Sequence, residues 1–131
     1  MHLGLIIVPI AAVAGWAGGA AWYGILGRQW SAALGWGPEE IKQQSPLLPM
    51  LFSFLAELVM ALILFLVIGP VSEPRLLRGL LDGSVLWLGF VVTTTAVNYA
   101  FQRRSLVLLA IDAGHWLLVL LIQGGLEGAL R

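Results

Sequence analysis

The chain has 131 residues, 60% of them hydrophobic and 11% charged, with seven basic and seven acidic residues and no cysteine. A water-soluble domain carries about 25% charged residues, so this composition leaves too little charge to cover an aqueous surface. The same figures exclude a disordered chain, a disulfide-stapled domain, a thiolate metal site and a nucleic-acid binder with a clustered basic excess. A small integral membrane protein remains.

Uncharged runs locate four spans, at about 3–27, 47–69, 83–101 and 105–126. Crossing a hydrocarbon core of roughly 30 Å takes about 20 such residues in a helix. The alternation of a barrel strand is missing, so the spans are read as helices. The expected fold is all-α: one transmembrane domain over residues 1–131, a four-helix bundle running up-down-up-down. The first run has no basic residue before it and is too long for the core of a cleaved signal peptide.

The first span carries Ala11, Gly15 and Gly19 at four-residue spacing, flanked by Trp16 and Trp22. Such a ladder lets a second helix backbone approach closely. It serves either packing inside the chain or a face for another subunit. The loop that follows, 28–46, contains Gly37-Pro38-Glu39-Glu40-Ile41-Lys42. Proline followed by two acids marks a helix start, so 38–44 reads as a short interfacial helix. Trp22, Tyr23, Trp30, Trp36, Tyr99 and Phe101 lie near span ends and read as an interfacial aromatic belt.

The second span holds Ser53 and Glu57, the third Thr94 and Asn98, and the fourth Asp112 and His115. Intramembrane ionisable groups are functional candidates because each costs about 2.5–3.5 kcal/mol on insertion scales. At a rise of about 1.5 Å per residue, Glu57 lies about 12 Å, Asp112 about 10 Å and His115 about 15 Å below the face carrying loops one and three. Thr94 and Asn98 lie about 10 and 5 Å below it. The six residues are therefore expected to line one polar pocket between spans two, three and four, with Arg28, Arg103 and Arg104 as candidates to reach in. Two uses are open: internal hydrogen-bonded glue, or a path for protons or cations. The serine and threonines have a third, bonding to carbonyls of their own helix. One imidazole without a thiol is a poor start for a metal site or a haem ligand, so no metal and no cofactor are expected.

The C-terminal Gly124, Gly125 and Gly128 weaken a helix, so the tail is expected to fray or turn there. Phosphate-binding, nucleophile-elbow and His-Glu-x-x-His motifs are missing, and the chain is not expected to be an enzyme. Four basic residues on one face against three on the other leave the orientation nearly unspecified, and dual insertion stays open.

The segment Gly18-Gly19-Ala20-Ala21-Trp22-Tyr23-Gly24-Ile25-Leu26-Gly27-Arg28-Gln29-Trp30 resembles the 1761 family of domains of unknown function. So do Trp87-Leu88-Gly89-Phe90, Ile111-Asp112-Ala113-Gly114 and the Pro38–Lys42 segment. The resemblance spans essentially the whole chain and implies a small four-span membrane protein. It brings no activity and no functional residue.

Two function classes follow. The first is a structural or accessory subunit in a lipid bilayer, such as the bacterial inner membrane, that self-associates or packs on a larger complex. The second is a proton- or cation-coupled transporter or channel working as an oligomer. The polar residues singled out lie in one half of the bilayer, which favours the first.

Overall fold

A computed structural model describes residues 2–70 and 72–131, and these form helices joined by short turns, with no strand among them. Helix α1 spans Gly4–Leu34, α2 Pro38–Lys42, α3 Leu47–Ile68 and α4 Arg75–Leu86. A π-helical turn, Trp87–Val91, joins α4 to α5, Val92–Phe101, and α6 spans Leu106–Ala129. Four continuous helical stretches, 2–34, 47–68, 75–101 and 106–129, are long and apolar enough to cross a membrane.

The expected spans differ from these at three ends. The first helix passes Gly27 and Arg28 and continues to Leu34. It stops where Gly35 takes φ 77° and two bonds, Gly35 N–H to Ala32 O and Trp36 N–H to Ser31 O, close the last turn. That is the Schellman arrangement, which calls for a left-handed residue that glycine supplies without strain. The third stretch starts at Arg75, eight positions before the uncharged run. Arg75, Arg78 and Asp82 interrupt the hydropathy but not the helix. The short helix α2 is one residue pair shorter than the expected 38–44. Glu40 Oε2 accepts from Gly37 N–H at 3.0 Å at its start.

The third difference concerns the tail. The glycines near the C-terminus do not fray the helix, which runs through to Ala129. They are where α4 and α6 meet backbone to backbone. A Cβ on Gly83 would lie 2.6 Å from Leu120 O, one on Gly79 would strike Gly124 O, and one on Gly128 would strike Arg75 O. Each glycine costs about 1 kcal/mol in helix propensity. Close approach offsets this through van der Waals contact and Cα–H···O bonds along the seam.

Helix α6 is the axis of the bundle. It buries residues from Leu108 to Gly128, whereas α5 buries none. Helix α1 runs antiparallel to it, with Gly19 against His115 and Gly15 against Gln123. Helix α3 packs on α1 in the same antiparallel sense, through Gly4 with Phe65 and Gly15 with Glu57. Two small apolar clusters fill the remaining space: Val8, Ala11, Ala12 and Ala61, and Leu64, Ile68 and Leu120.

Candidate functional site

Ser105 begins α6, its Oγ accepting from Leu108 N–H at 3.1 Å. One and a half turns later comes Ile111-Asp112-Ala113-Gly114-His115, and four other parts of the chain converge on it. Trp22 Nε1–H donates to Ile111 O at 2.9 Å, and Trp87 Nε1–H to Ala113 O at 2.7 Å. The Asp112 carboxylate accepts at Oδ1 from Tyr23 Oη–H at 2.5 Å and Trp30 Nε1–H at 3.1 Å, and at Oδ2 from Tyr99 Oη–H. Three neutral donors and no cation hold this carboxylate.

Local geometry explains how each donor arrives. Tyr23 and Trp30 are seven residues apart, two turns on one face of α1, which exists only because α1 continues past Arg28. Gly114 makes room for the Trp22 ring: a Cβ there would sit 2.8 Å from it. Gly19 does the same for His115, whose Nε2 would lie 2.5 Å from an added Cβ. The His115 ring stacks at a tilt on Tyr23, centroids 4.7 Å apart, and its Nδ1 is buried without a partner among the described residues. The π-turn sets Tyr99. On an uninterrupted α-helix, Tyr99 would point about 120° away from Trp87. The extra residue of a π-turn takes back roughly 100°, so both side chains face α6.

A second polar group lies further along α6. Gln123 and Glu127 follow His115 at eight and twelve residues and lie one turn apart on one face of α6. Glu57 of α3 joins them: Gln123 Nε2 donates to Glu57 O at 3.0 Å. Glu57 is 1% exposed, and Gln123 and Glu127 are 0% exposed. Beyond Glu127, the Arg131 guanidinium donates to Phe65 O and Gly69 O and lies over the Phe65 ring at 3.6 Å.

The single pocket expected from the sequence does not form. Glu57 sits with Gln123, not with Asp112 and His115. Ser53 Oγ donates to Met50 O, and Thr94 Oγ1 to Phe90 O and Val91 O, so both bond their own helix. Asn98 is exposed, and with Thr93, Thr94 and Val97 it lines a shallow outward groove of about 270 Å³. None of Arg28, Arg103 and Arg104 donates a hydrogen bond to Asp112. Arg104 instead bonds Gln102 Oε1 at 2.6 Å and lies 5.8 Å from the Tyr99 ring. The polar residues are not confined to one end either, since Gln123 and Glu127 extend the line toward Arg131.

The aromatic belt and the glycine face also change meaning. Trp22, Tyr23, Trp30 and Tyr99 turn inward and hydrogen-bond to α6. Ala11, Gly15 and Gly19 are buried inside the chain. Trp16 is half-buried, and its Nε1–H donates to Met50 O at 3.1 Å. This face is used within the chain and is not free for a second subunit.

Among the described residues, no group of three or more His, Cys, Asp and Glu side chains is placed to hold a metal ion. A family model, described as a protein of unknown function (DUF1761), matches residues 6–127. No curated protein and no solved structure matches the chain.

Proposed function

The chain belongs to the DUF1761 family, whose function is unknown, and on its own geometry we propose that it is a structural or accessory membrane subunit that associates through α5. One observation carries this reading. Helix α5 buries none of its residues, and the Asn98 amide faces outward with no side-chain hydrogen-bond partner among the described residues. Thr93 and Thr94 line the same groove. An amide pairing across two helices in a bilayer contributes roughly 1 kcal/mol. A helix of a second copy, or of a larger complex in a bacterial inner membrane, meets that need. On this reading the chain performs no chemistry of its own.

The test is cysteine cross-linking from Asn98→Cys and Val97→Cys in native membranes, with the mass of the gently extracted assembly. Cross-linked partners at these positions, weakened by Thr93→Leu, support the reading. A monomer without cross-links removes it. A second reading, a compact proton- or cation-coupled transporter, is favoured by the buried carboxyls of α3 and α6.

A further inference from the structure

We propose that Arg131 is a latch for one end of the bundle: a single guanidinium neutralises the buried Glu127 carboxylate and caps the end of α3, so that the last turn of α6 locks or opens as a unit. The latch lies where α3 and α6 end, and association through α5 does not depend on it.

Glu127 is 0% exposed, and both of its carboxyl oxygens are buried without a hydrogen-bond partner among the described residues. Burying an ionised carboxylate without a compensating charge is prohibitive, so a cation must stand near it. The packed helices offer few. Helix α1 carries no charge from Gly4 to Gly27, and the one charged residue of α3 is the acid Glu57. On α4, Arg78 is exposed, and Arg75 Nε pairs with Glu73 Oε1 at 3.0 Å. On α6 itself, His115 lies about three turns before Glu127. Arg131 is the cation that remains.

Local geometry brings it there. Leu130 ends α6 with φ −88° and ψ −4°, still right-handed, and its N–H donates to Leu126 O. The helical path therefore carries Arg131 to one turn past Glu127, with the acid first, which is the favourable order for such a pair. Arg131 Nε is buried without a partner, a donor lacking an acceptor one turn from two acceptors lacking a donor. The two side chains attract across that turn. They do so through space, since the one direct salt bridge among the described residues is that of Arg75 with Glu73. Between buried groups such attraction is little screened.

The rest of the guanidinium is also engaged. Its terminal nitrogens donate to Phe65 O and Gly69 O, and it lies over the Phe65 ring. These carbonyls stand at the end of α3, where a helix leaves acceptors unpaired and its dipole is negative. Arg75 Nη1 in turn donates to Arg131 O, which ties the start of α4 to the same residue. A planar fork serves several acceptors at once, and an ammonium does not. Lifting Arg131 would strip the charge from Glu127 and the donors from α3 together, so partial opening is disfavoured. Glu127 is thereby assigned to closing the bundle, not to carrying a proton or a cation through it.

The experiment uses the full chain in lipid nanodiscs and reads the unfolding rate of Arg131→Met, Arg131→Lys, Glu127→Gln and Arg131→Met/Glu127→Gln against wild type. Arg131→Met is expected to speed unfolding by roughly tenfold or more, because it strands a buried charge. In the Glu127→Gln background the same change is expected to have a several-fold smaller effect, since no charge is left to strand. Arg131→Lys keeps the charge and loses the fork, and is expected to fall between wild type and Arg131→Met. If Arg131→Met does not fold, recovery of folded protein by adding Glu127→Gln is the expected result, and failure to recover it overturns the pairing. Equal effects of Arg131→Met in both backgrounds, or Arg131→Lys unfolding as fast as Arg131→Met, also overturn the pairing. An unfolding rate indifferent to Arg131→Met overturns the latch itself.

Discussion

Tyr23 and Asp112 lie 89 positions apart in sequence and are joined by a hydrogen bond of 2.5 Å. The bond fastens the first long helix to the last. With Trp30 and Tyr99 on the same carboxylate, it makes Asp112 the point where three helical stretches meet. Removing one donor should therefore be mild, and removing the acceptor severe. Tyr23→Phe and Tyr99→Phe are each expected to lower stability by about 1 kcal/mol. Asp112→Leu is expected to exceed their sum, because it strands three half-buried donors at once. Unfolding in mixed detergent micelles, with a double-mutant cycle on Tyr23 and Tyr99, measures both.

The π-turn gives a sharper test. Deleting Gly89, which has open space around it, removes one residue from the Trp87–Val91 turn. The helix is then expected to become regular with Tyr99 eleven positions after Trp87, about 20° from it, so that Tyr99 stays on Asp112. In that background Tyr99→Phe should cost about as much as it does in the wild type. A lost effect of Tyr99→Phe would show that Tyr99 needs the wide turn itself, and not only the register it restores, to reach Asp112.

The glycines separate into two groups. Gly79, Gly124 and Gly128 sit where a Cβ would strike the opposing backbone, and Gly24 faces open space. Gly124→Ala is expected to destabilise by at least 2 kcal/mol, within the range seen for strained or overpacked sites. Gly24→Ala is expected to stabilise by up to about 1 kcal/mol through helix propensity alone. Thermal inactivation in a single detergent compares them directly.

On α1 the outcome concerns folding rather than assembly. Gly15→Leu and Gly19→Leu would drive side chains into Gln123 and His115. Both are expected to yield protein that is aggregated or protease-sensitive, not a folded monomer that has lost a partner. Limited proteolysis after membrane extraction distinguishes the two.

Hydropathy made the four helices legible, because a bilayer demands long apolar runs wherever a chain crosses it. It failed at the ends, where Arg28 and Arg75 belong to helices that outlast their apolar stretch. Depth arithmetic placed Glu57 and Asp112 at similar levels because it assumed both helices start at one plane. Contacts show otherwise: Glu57 pairs with Gln123, eleven residues beyond Asp112 on α6. The Asp112 cluster left a signal that was readable, the seven-residue spacing of Tyr23 and Trp30. Taken one at a time, near the ends of apolar runs, such aromatics look like lipid-facing anchors. The segments Trp22–Trp30, Trp87–Phe90 and Ile111–Gly114, which carry the family resemblance, converge in space on this one cluster. Gln123 and Glu127 escaped notice because the glycines around them read as a helix end.

The order of the helices has a consequence for biogenesis. Synthesis delivers α1, α3 and the α4–α5 stretch to the bilayer before the segment they all close upon. Until α6 arrives, Tyr23, Trp30 and Tyr99 have no Asp112 to donate to, and the Gly79–Gly83 seam has no backbone to meet. The early helices must wait in lipid as a loose, unlocked set. Insertion of α6 then locks the helices that precede it, a keystone set after the arch is standing.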